Sequence, residues 1–367
     1  MKTDHQHREI LCSAKRVVVK AGSKVLVQRS GRPDRARMQK LVTELTQLHK
    51  TGVETALVSS GAVSAGLDAL QQRIRPSDMA DLQMAASIGQ HRLMGIYGDL
   101  FSKNKCTIGQ VLLTHDVLKD RERHLNARNT LLHLIANRII PVINENDTIS
   151  TEEIKFGDND VLAALVSILI DADALILLST TDGLREPTAN GRTRRVSYID
   201  EVSDSILAMI QDKQDVLSTG GMTSKLQSAE LAAHNGIPVV IANGRKDEVL
   251  ARILRGEDEG TLLFPKDKQI SKRKSWIAFF NRVEGKITID KGAEKALLTG
   301  DSLSPVGILK QEGNFKLGAM VEIISQDGHT VGRGLVEADS QELAARNSSN
   351  ASAKEQPIIH YDNLVLL

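Results

Sequence analysis

The sequence predicts an α/β protein: one large domain built on a mainly parallel open sheet with helices on both faces, followed by a small β-rich domain. Three observations lead there. Short β-branched runs take turns with helical patterns over about 250 residues. The texture changes around Pro265, where "PKDKQISKRKSW" is basic and polar. Beyond Gly285, short strand-like runs are separated by Gly and Asp.

Residues 1–15 read as a polar N-terminal tail, whose only apolar pair precedes Cys12 and which has no signal-peptide core. The larger domain runs from 16 to 265. Val17 to Val19 is a buried strand; Met38, Leu41, Val42, Leu45 and Leu48 then recur at helical spacing until Thr51-Gly52 stops them. Thr55 to Ser59 is the next strand, followed by a long helical region to about Lys103, a strand at Ile108 to Leu113 and a helix around Asp120 to Asn137. Ile139 to Ile143 is an apolar strand opening into a polar loop, and Val161 to Ile170 is apolar enough for a buried helix. Ala174 to Leu178 and Ile237 to Ala242 are strands enclosing a helix from Thr223 to His234, which Asn235-Gly236 ends. A basic linker over 266–284 leads to the second domain, 285–367, where Val321 to Ile324 and Thr330-Val331 flank Asp327-Gly328, a hairpin signal. "RNSSNASAK" reads as a mobile loop.

Composition excludes several classes. Lys plus Arg number 47 against 46 Asp plus Glu, so net charge gives no general attraction to nucleic acid or acidic membrane. No apolar run reaches the ~18 residues of a membrane span. Cys12 and Cys106 have neither metal-ligand spacing nor a framework of pairs, which points to a reducing compartment and a cytoplasmic location.

Ligands of parallel α/β sheets sit at the carboxyl ends of strands, and four such ends carry unusual chemistry. At Lys20-Ala21-Gly22-Ser23-Lys24 a lysine leaves a buried strand into a glycine turn, as any solvated strand-terminal lysine also does. Ser59 to Gly66 is a run of small residues, fit for a carboxylate approaching backbone N–H groups or equally for close helix packing. "NENDTISTEEIKFGDND" concentrates Asn144, Glu145, Asn146, Asp147, Asp158, Asn159 and Asp160, whereas a helix cap needs one such residue. "STGGMTSK", Ser218 to Lys225, fails the P-loop pattern because its glycines are adjacent and no hydroxyl follows the lysine. Its glycines at a helix start still turn N–H groups toward one point, although a flexible turn with a surface lysine has the same letters. Two lysines, two glycine-rich turns and a carboxylate and amide cluster on one sheet suit a phosphate-bearing anion.

In their order and spacing, "VVVKAGS", "VSSGAVSAG", "PVINENDT", "EIKFGDND" and "TGGMTSK" resemble the amino-acid kinase family, within it the branch that phosphorylates the side-chain carboxylate of L-glutamate in the first step of proline synthesis. The second domain is similar to a PUA domain, and "IIHYDNLVLL" to its usual ending. The resemblance implies the amino-acid kinase fold, with Lys20 and Lys225 meeting the phosphates of ATP and Asp160 holding them. Ser60, Asp147 and Asn159 bind glutamate by the same resemblance. Thr219, Gly220, Gly221, Met222, Thr223, Ser224 and Lys225 cradle ATP, with Ser179 and Thr180 near the nucleotide. It implies Mg²⁺ carried with the nucleotide and no protein metal ligand, a dimer or tetramer, and glutamate 5-semialdehyde dehydrogenase as a partner.

Two departures stand out. The family usually has Thr-Asp at Ser179-Thr180, with Asp182 placed to substitute, and a hydroxyl or amide residue where Lys24 stands. Alternatives are kinases of the same fold acting on acetylglutamate, aspartate, carbamate or uridylate, and an RNA-binding protein acting through the second domain. The RNA reading is opposed by eight Lys and Arg against eleven Asp and Glu over 285–367, with Phe315 and Tyr361 as the only aromatics there.

Overall fold

The computed structural model describes residues 4–28, 30–72, 74–114, 121–149, 159–188, 192–203, 206–207, 221–264, 283–348 and 357–366. The chain divides into two compact units, Met1–Gln269 and Ile270–Leu367.

The first unit is built on strands β1 (Arg16–Ala21), β2 (Glu54–Val58), β3 (Ile108–Leu113), β4 (Ile140–Glu145), β5 (Ala174–Ser179), β8 (Tyr198–Ile199), β9 (Val239–Asn243) and β10 (Thr261–Leu263). They form one sheet in the order β3-β4-β2-β1-β5-β9-β10-β8. The run from β3 to β9 is parallel throughout, and the reversal comes only at β9 to β10. This is the mainly parallel α/β sheet that the alternating pattern predicts. β1 is central because Val17, Val18 and Val19 are each fully buried. A Val, Leu or Ile removed from water in this way contributes roughly 1.5–3 kcal/mol before entropy is counted. A small hairpin, β6 (Arg185–Pro187) with β7 (Thr193–Arg195), stands apart from the sheet.

The helices are α1 (Asp4–Cys12), α2 (Ser23–Leu26), α3 (Arg35–Lys50), α4 (Ala62–Ala69), α5 (Met79–Lys103), α6 (Arg121–Ala136), α7 (Asn159–Leu169), α8 (Met222–His234) and α9 (Val249–Leu254). The long helical region expected up to Lys103 is α5, and the small-residue stretch before it forms a helix of its own, α4. They cross backbone to backbone: a Cβ on Gly66 of α4 would lie 1.7 Å from the Ala85 carbonyl oxygen, and one on Gly89 of α5 1.8 Å from that of Ala62. Packing therefore explains part of the small-residue run that sequence also allowed as a ligand cradle.

The polar tail expected over residues 1–15 is a correction. Residues 4–12 are helical, and Arg8 is buried, its guanidinium donating to the carbonyls of Ser197 at 2.9 Å, Glu259 at 2.8 Å and Gly260 at 3.0 Å. One arginine that satisfies several backbone acceptors is enough to fold a polar segment against the unit, which hydropathy does not register.

The second unit contains β11 (Val283–Ile289), α10 (Lys291–Leu298), β12 (Ile308–Glu312), β13 (Met320–Ser325), β14 (Thr330–Leu335), α11 (Ser340–Ser348) and β15 (Leu364–Leu366). Its sheet runs β12-β11-β13-β14-β15, with β13 and β14 forming the expected antiparallel hairpin. Ile287, Ile289, Phe315, Val321, Ile323 and Leu343 belong to its core. The mobile loop expected at "RNSSNASAK" starts inside α11, and its residues 349–354 lie outside the described residues.

Candidate active site

β1 delivers Lys20 at its carboxyl end, and parallel pairing places Lys20 level with Val58 of β2 and Leu177 of β5. The backbone then turns through Gly22, whose N–H donates to the Leu178 carbonyl at 3.4 Å. Asp160 lies in the first turn of α7 and Lys225 in the first turn of α8. The carboxylate of Asp160 takes one lysine on each oxygen, Lys20 Nζ on Oδ1 at 2.5 Å and Lys225 Nζ on Oδ2 at 2.7 Å. All three residues are buried.

Electrostatics give this trio a direction. Burial pushes the Asp160 carboxyl up, but the charges of Lys20 and Lys225 and their hydrogen bonds outweigh it and hold it below the usual carboxylate range. A carboxylate in the first turn of α7 also agrees with the positive end of the helix, whereas a lysine in the first turn of α8 opposes it by about 0.3–1 kcal/mol. Lys225 thus sits where helix stability disfavours a cation, held there by Asp160.

A second cluster lies beside the first. Asn159, next to Asp160, donates its amide nitrogen to Ser60 Oγ at 3.0 Å and to Asn144 Oδ1 at 3.1 Å. Ser60 is buried at the end of β2, ahead of α4, whose N-cap Gly61 takes the left-handed φ of 102°. Such a φ strains any residue with a Cβ. Asp147 follows β4 in a turn where Asn146 N–H donates to the Leu113 carbonyl at 2.9 Å. Burial pushes the Asp147 carboxyl up to about 6, against the opposing charge of Arg75.

The structure therefore brings together Lys20, Asp160 and Lys225, and likewise Ser60 and Asn159. Ser179 ends β5, its carbonyl accepting from Gly244 N–H at 2.9 Å, with Thr180 following and both partly buried. Gly221 is the N-cap of α8; Met222, Thr223 and Ser224 form its first turn, and open space faces the position of a Cβ on Gly221. Thr219 and Gly220 lie outside the described residues, as does Asp158. Asp182, the possible stand-in carboxylate, is engaged elsewhere: both of its oxygens accept from Arg185 Nη1, at 2.8 and 2.9 Å. Lys24 is exposed. Sequence reasoning passed over Gln90, a buried α5 side chain on Asn144, because a single glutamine within a helix gives no periodic or motif signal. Among the described residues no group of three or more His, Cys, Asp or Glu is placed to hold a metal ion, and no helix is long and apolar enough to cross a membrane.

Comparison with known proteins places the chain in a family. Residues 15–243 match the amino acid kinase family and residues 285–355 the PUA domain. A glutamate 5-kinase from Chromohalobacter salexigens is 42% identical over 98% of both chains. One from Pseudomonas entomophila is 41% identical over 98% of this chain and all of its own. A carbamate kinase from Giardia lamblia bound to AMP-PNP, 16% identical, superposes on 70% of this chain and 100% of its own with a TM-score of 0.50, a likeness of fold alone. With the family model spanning the whole strand-end cluster and relatives this similar over their full length, the chain belongs to the amino acid kinase family and carries a PUA domain after the kinase unit.

Proposed function

We propose that this cleft transfers the γ-phosphoryl group of ATP to the side-chain carboxylate of L-glutamate, giving γ-glutamyl phosphate and ADP, the first step of proline synthesis. The observation that carries the reading is the convergence of Lys20 and Lys225, far apart in sequence, on the two oxygens of Asp160. The substrate comes from the glutamate 5-kinases that match the chain from end to end.

The acceptor carboxylate has a reference pKa of about 4.3, so it is ionised at neutral pH and needs no general base. One of its oxygens forms the new bond to the γ-phosphorus. The bond from that phosphorus to the β–γ bridging oxygen breaks, and the electron pair leaves on ADP. Both reactants are anions, so positioning and charge neutralisation supply the catalysis. Lys20 and Lys225 meet the charge of the transferring and leaving groups, and Asp160 fixes both ammoniums beforehand, so little reorganisation is needed during transfer. The first turn of α8, with Gly221, Met222, Thr223 and Ser224, faces the phosphates with its N–H groups. Ser179 and Thr180 border the nucleotide. Asp147 and Asn159 receive the α-ammonium, while Ser60 and the N–H groups after it receive a carboxylate.

Mg²⁺ enters this reading on the nucleotide phosphates, which it usually shares with several waters. A cytoplasmic homo-oligomer that hands its labile product to glutamate 5-semialdehyde dehydrogenase completes the proposal. The test is hydroxylamine trapping of acyl phosphate across a panel of glutamate, acetylglutamate, aspartate and carbamate. Hydroxamate that depends on glutamate and ATP is expected; hydroxamate only from another acceptor contradicts the reading.

A further inference from the structure

The amide of Asn159 has a fixed polarity, and its origin can be traced outward. Asn144 Oδ1 accepts the backbone N–H of Glu145 at 3.0 Å. A backbone N–H can only donate, so this end of the Asn144 amide has to be the oxygen. The same oxygen takes Asn159 Nδ2 at 3.1 Å, and Asn159 Nδ2 gives its other proton to Ser60 Oγ at 3.0 Å. Both donors of Asn159 are then used. Its Oδ1 is left buried, with no hydrogen-bond partner among the described residues. A buried acceptor in that position costs stability until a donor arrives, and the ligand donor at hand is the ammonium of an amino acid.

The far end of the chain of amides is Gln90 of α5, buried, whose Oε1 accepts Asn144 Nδ2 at 2.8 Å. We infer that Gln90 is a positioning residue for amino-acid recognition: it holds Asn144, which orients Asn159 so that the Asn159 oxygen faces the substrate ammonium. The inference rests on the glutamate reading above and adds to it a residue remote from the phosphates. Gln90 acts on the amino-acid side alone, since the chain of contacts from it ends at Asn159 and Ser60.

The experiment compares wild type, Gln90→Leu and Gln90→Glu in the hydroxamate assay, with thermal melts of each. Leucine removes the acceptor for Asn144 Nδ2, whereas glutamate keeps an oxygen there in either protonation state. Gln90→Leu is expected to raise the KM for glutamate about tenfold, the scale of one hydrogen bond to a charged group, with the KM for ATP within about twofold and kcat changed less than the glutamate KM. Gln90→Glu is expected to restore the glutamate KM to within about threefold of wild type. An unchanged glutamate KM in Gln90→Leu, or a parallel rise in both KM values, overturns the inference, and so does a Gln90→Glu variant that folds yet is as impaired as the leucine variant. If wild type itself forms no hydroxamate from glutamate, the substrate assignment fails and this inference with it, an outcome distinct from the other three.

Discussion

Asp160, in the first turn of α7, and Asp147, in the turn after β4, are carboxylates whose acidities move in opposite directions. At the phosphate end, two lysines overcome the effect of burial and keep Asp160 ionised. At the amino-acid end, burial dominates the more weakly felt Arg75 and raises Asp147 to about 6. The first carboxylate is satisfied before any ligand binds and acts as a frame for cations. In the proposed function the second meets the cation that the amino acid brings. A difference of this kind separates a group that builds a site from a group that reads a substrate.

The largest expected effect comes from the frame. Lys225→Ala should lower kcat by about 10²–10³-fold, the loss typical of one preorganised charge-stabilising group, with the fold retained because Lys20 still pairs Asp160. Steady-state kinetics with a melting curve checks this, and near-normal turnover is the contrary result. Next comes Asp160→Asn, which leaves two buried ammoniums without their shared carboxylate and should destabilise the first unit by about 3–5 kcal/mol. The folded acidity of Asp160 lies below its reference value of 3.8, so its contribution is present above that pH and is lost as pH falls through the folded value. Denaturant melts of wild type should therefore show an acid-side loss of stability that is smaller in Asp160→Asn.

At the amino-acid end the sign reverses. Asp147 shifts from 3.8 to about 6 on folding, so its contribution to stability declines as pH rises between those values and stays unfavourable above about 6. Asp147→Asn should thus stabilise the ligand-free protein at pH 7 and have little effect near pH 4, as melts at the two pH values will show. Its function moves the other way: Asp147→Ala should raise the glutamate KM about tenfold with a smaller change for ATP, and the wild-type glutamate KM should rise as pH falls below about 6. A defect confined to ATP contradicts the assignment. The smallest effect is expected at Lys24, which is exposed: Lys24→Ala should leave the ATP KM within about twofold, because a solvated charge contributes little.

The sequence made these regions legible to different depths. β1, β5 and β9 announce themselves as unbroken apolar runs because both faces of a parallel sheet are buried. Lys20 stands out where the first of these runs stops, and the motifs "EIKFGDND" and "TGGMTSK" draw attention to Asp160 and Lys225, whose roles the family resemblance supplies. Spacing alone does not show their convergence, which the family resemblance implies: Lys20 and Lys225 are separated by most of the first unit, and the β1 to β5 pairing and the two helix starts bring them together. The orientation of the Asn159 amide was out of reach for a related reason. It depends on a backbone N–H, a neighbouring asparagine and a helical glutamine, three contacts with no common spacing. The same applies to Arg8, whose acceptors are carbonyls that every sequence possesses.

The most direct test is a crystal structure of the protein with a nonhydrolysable ATP analogue and glutamate. The account predicts Lys20 Nζ and Lys225 Nζ both within hydrogen-bonding distance of the β- and γ-phosphate oxygens, with the acceptor carboxylate in line behind the γ-phosphorus. Phosphates bound elsewhere, with the two ammoniums outside the occupied cleft, would contradict it.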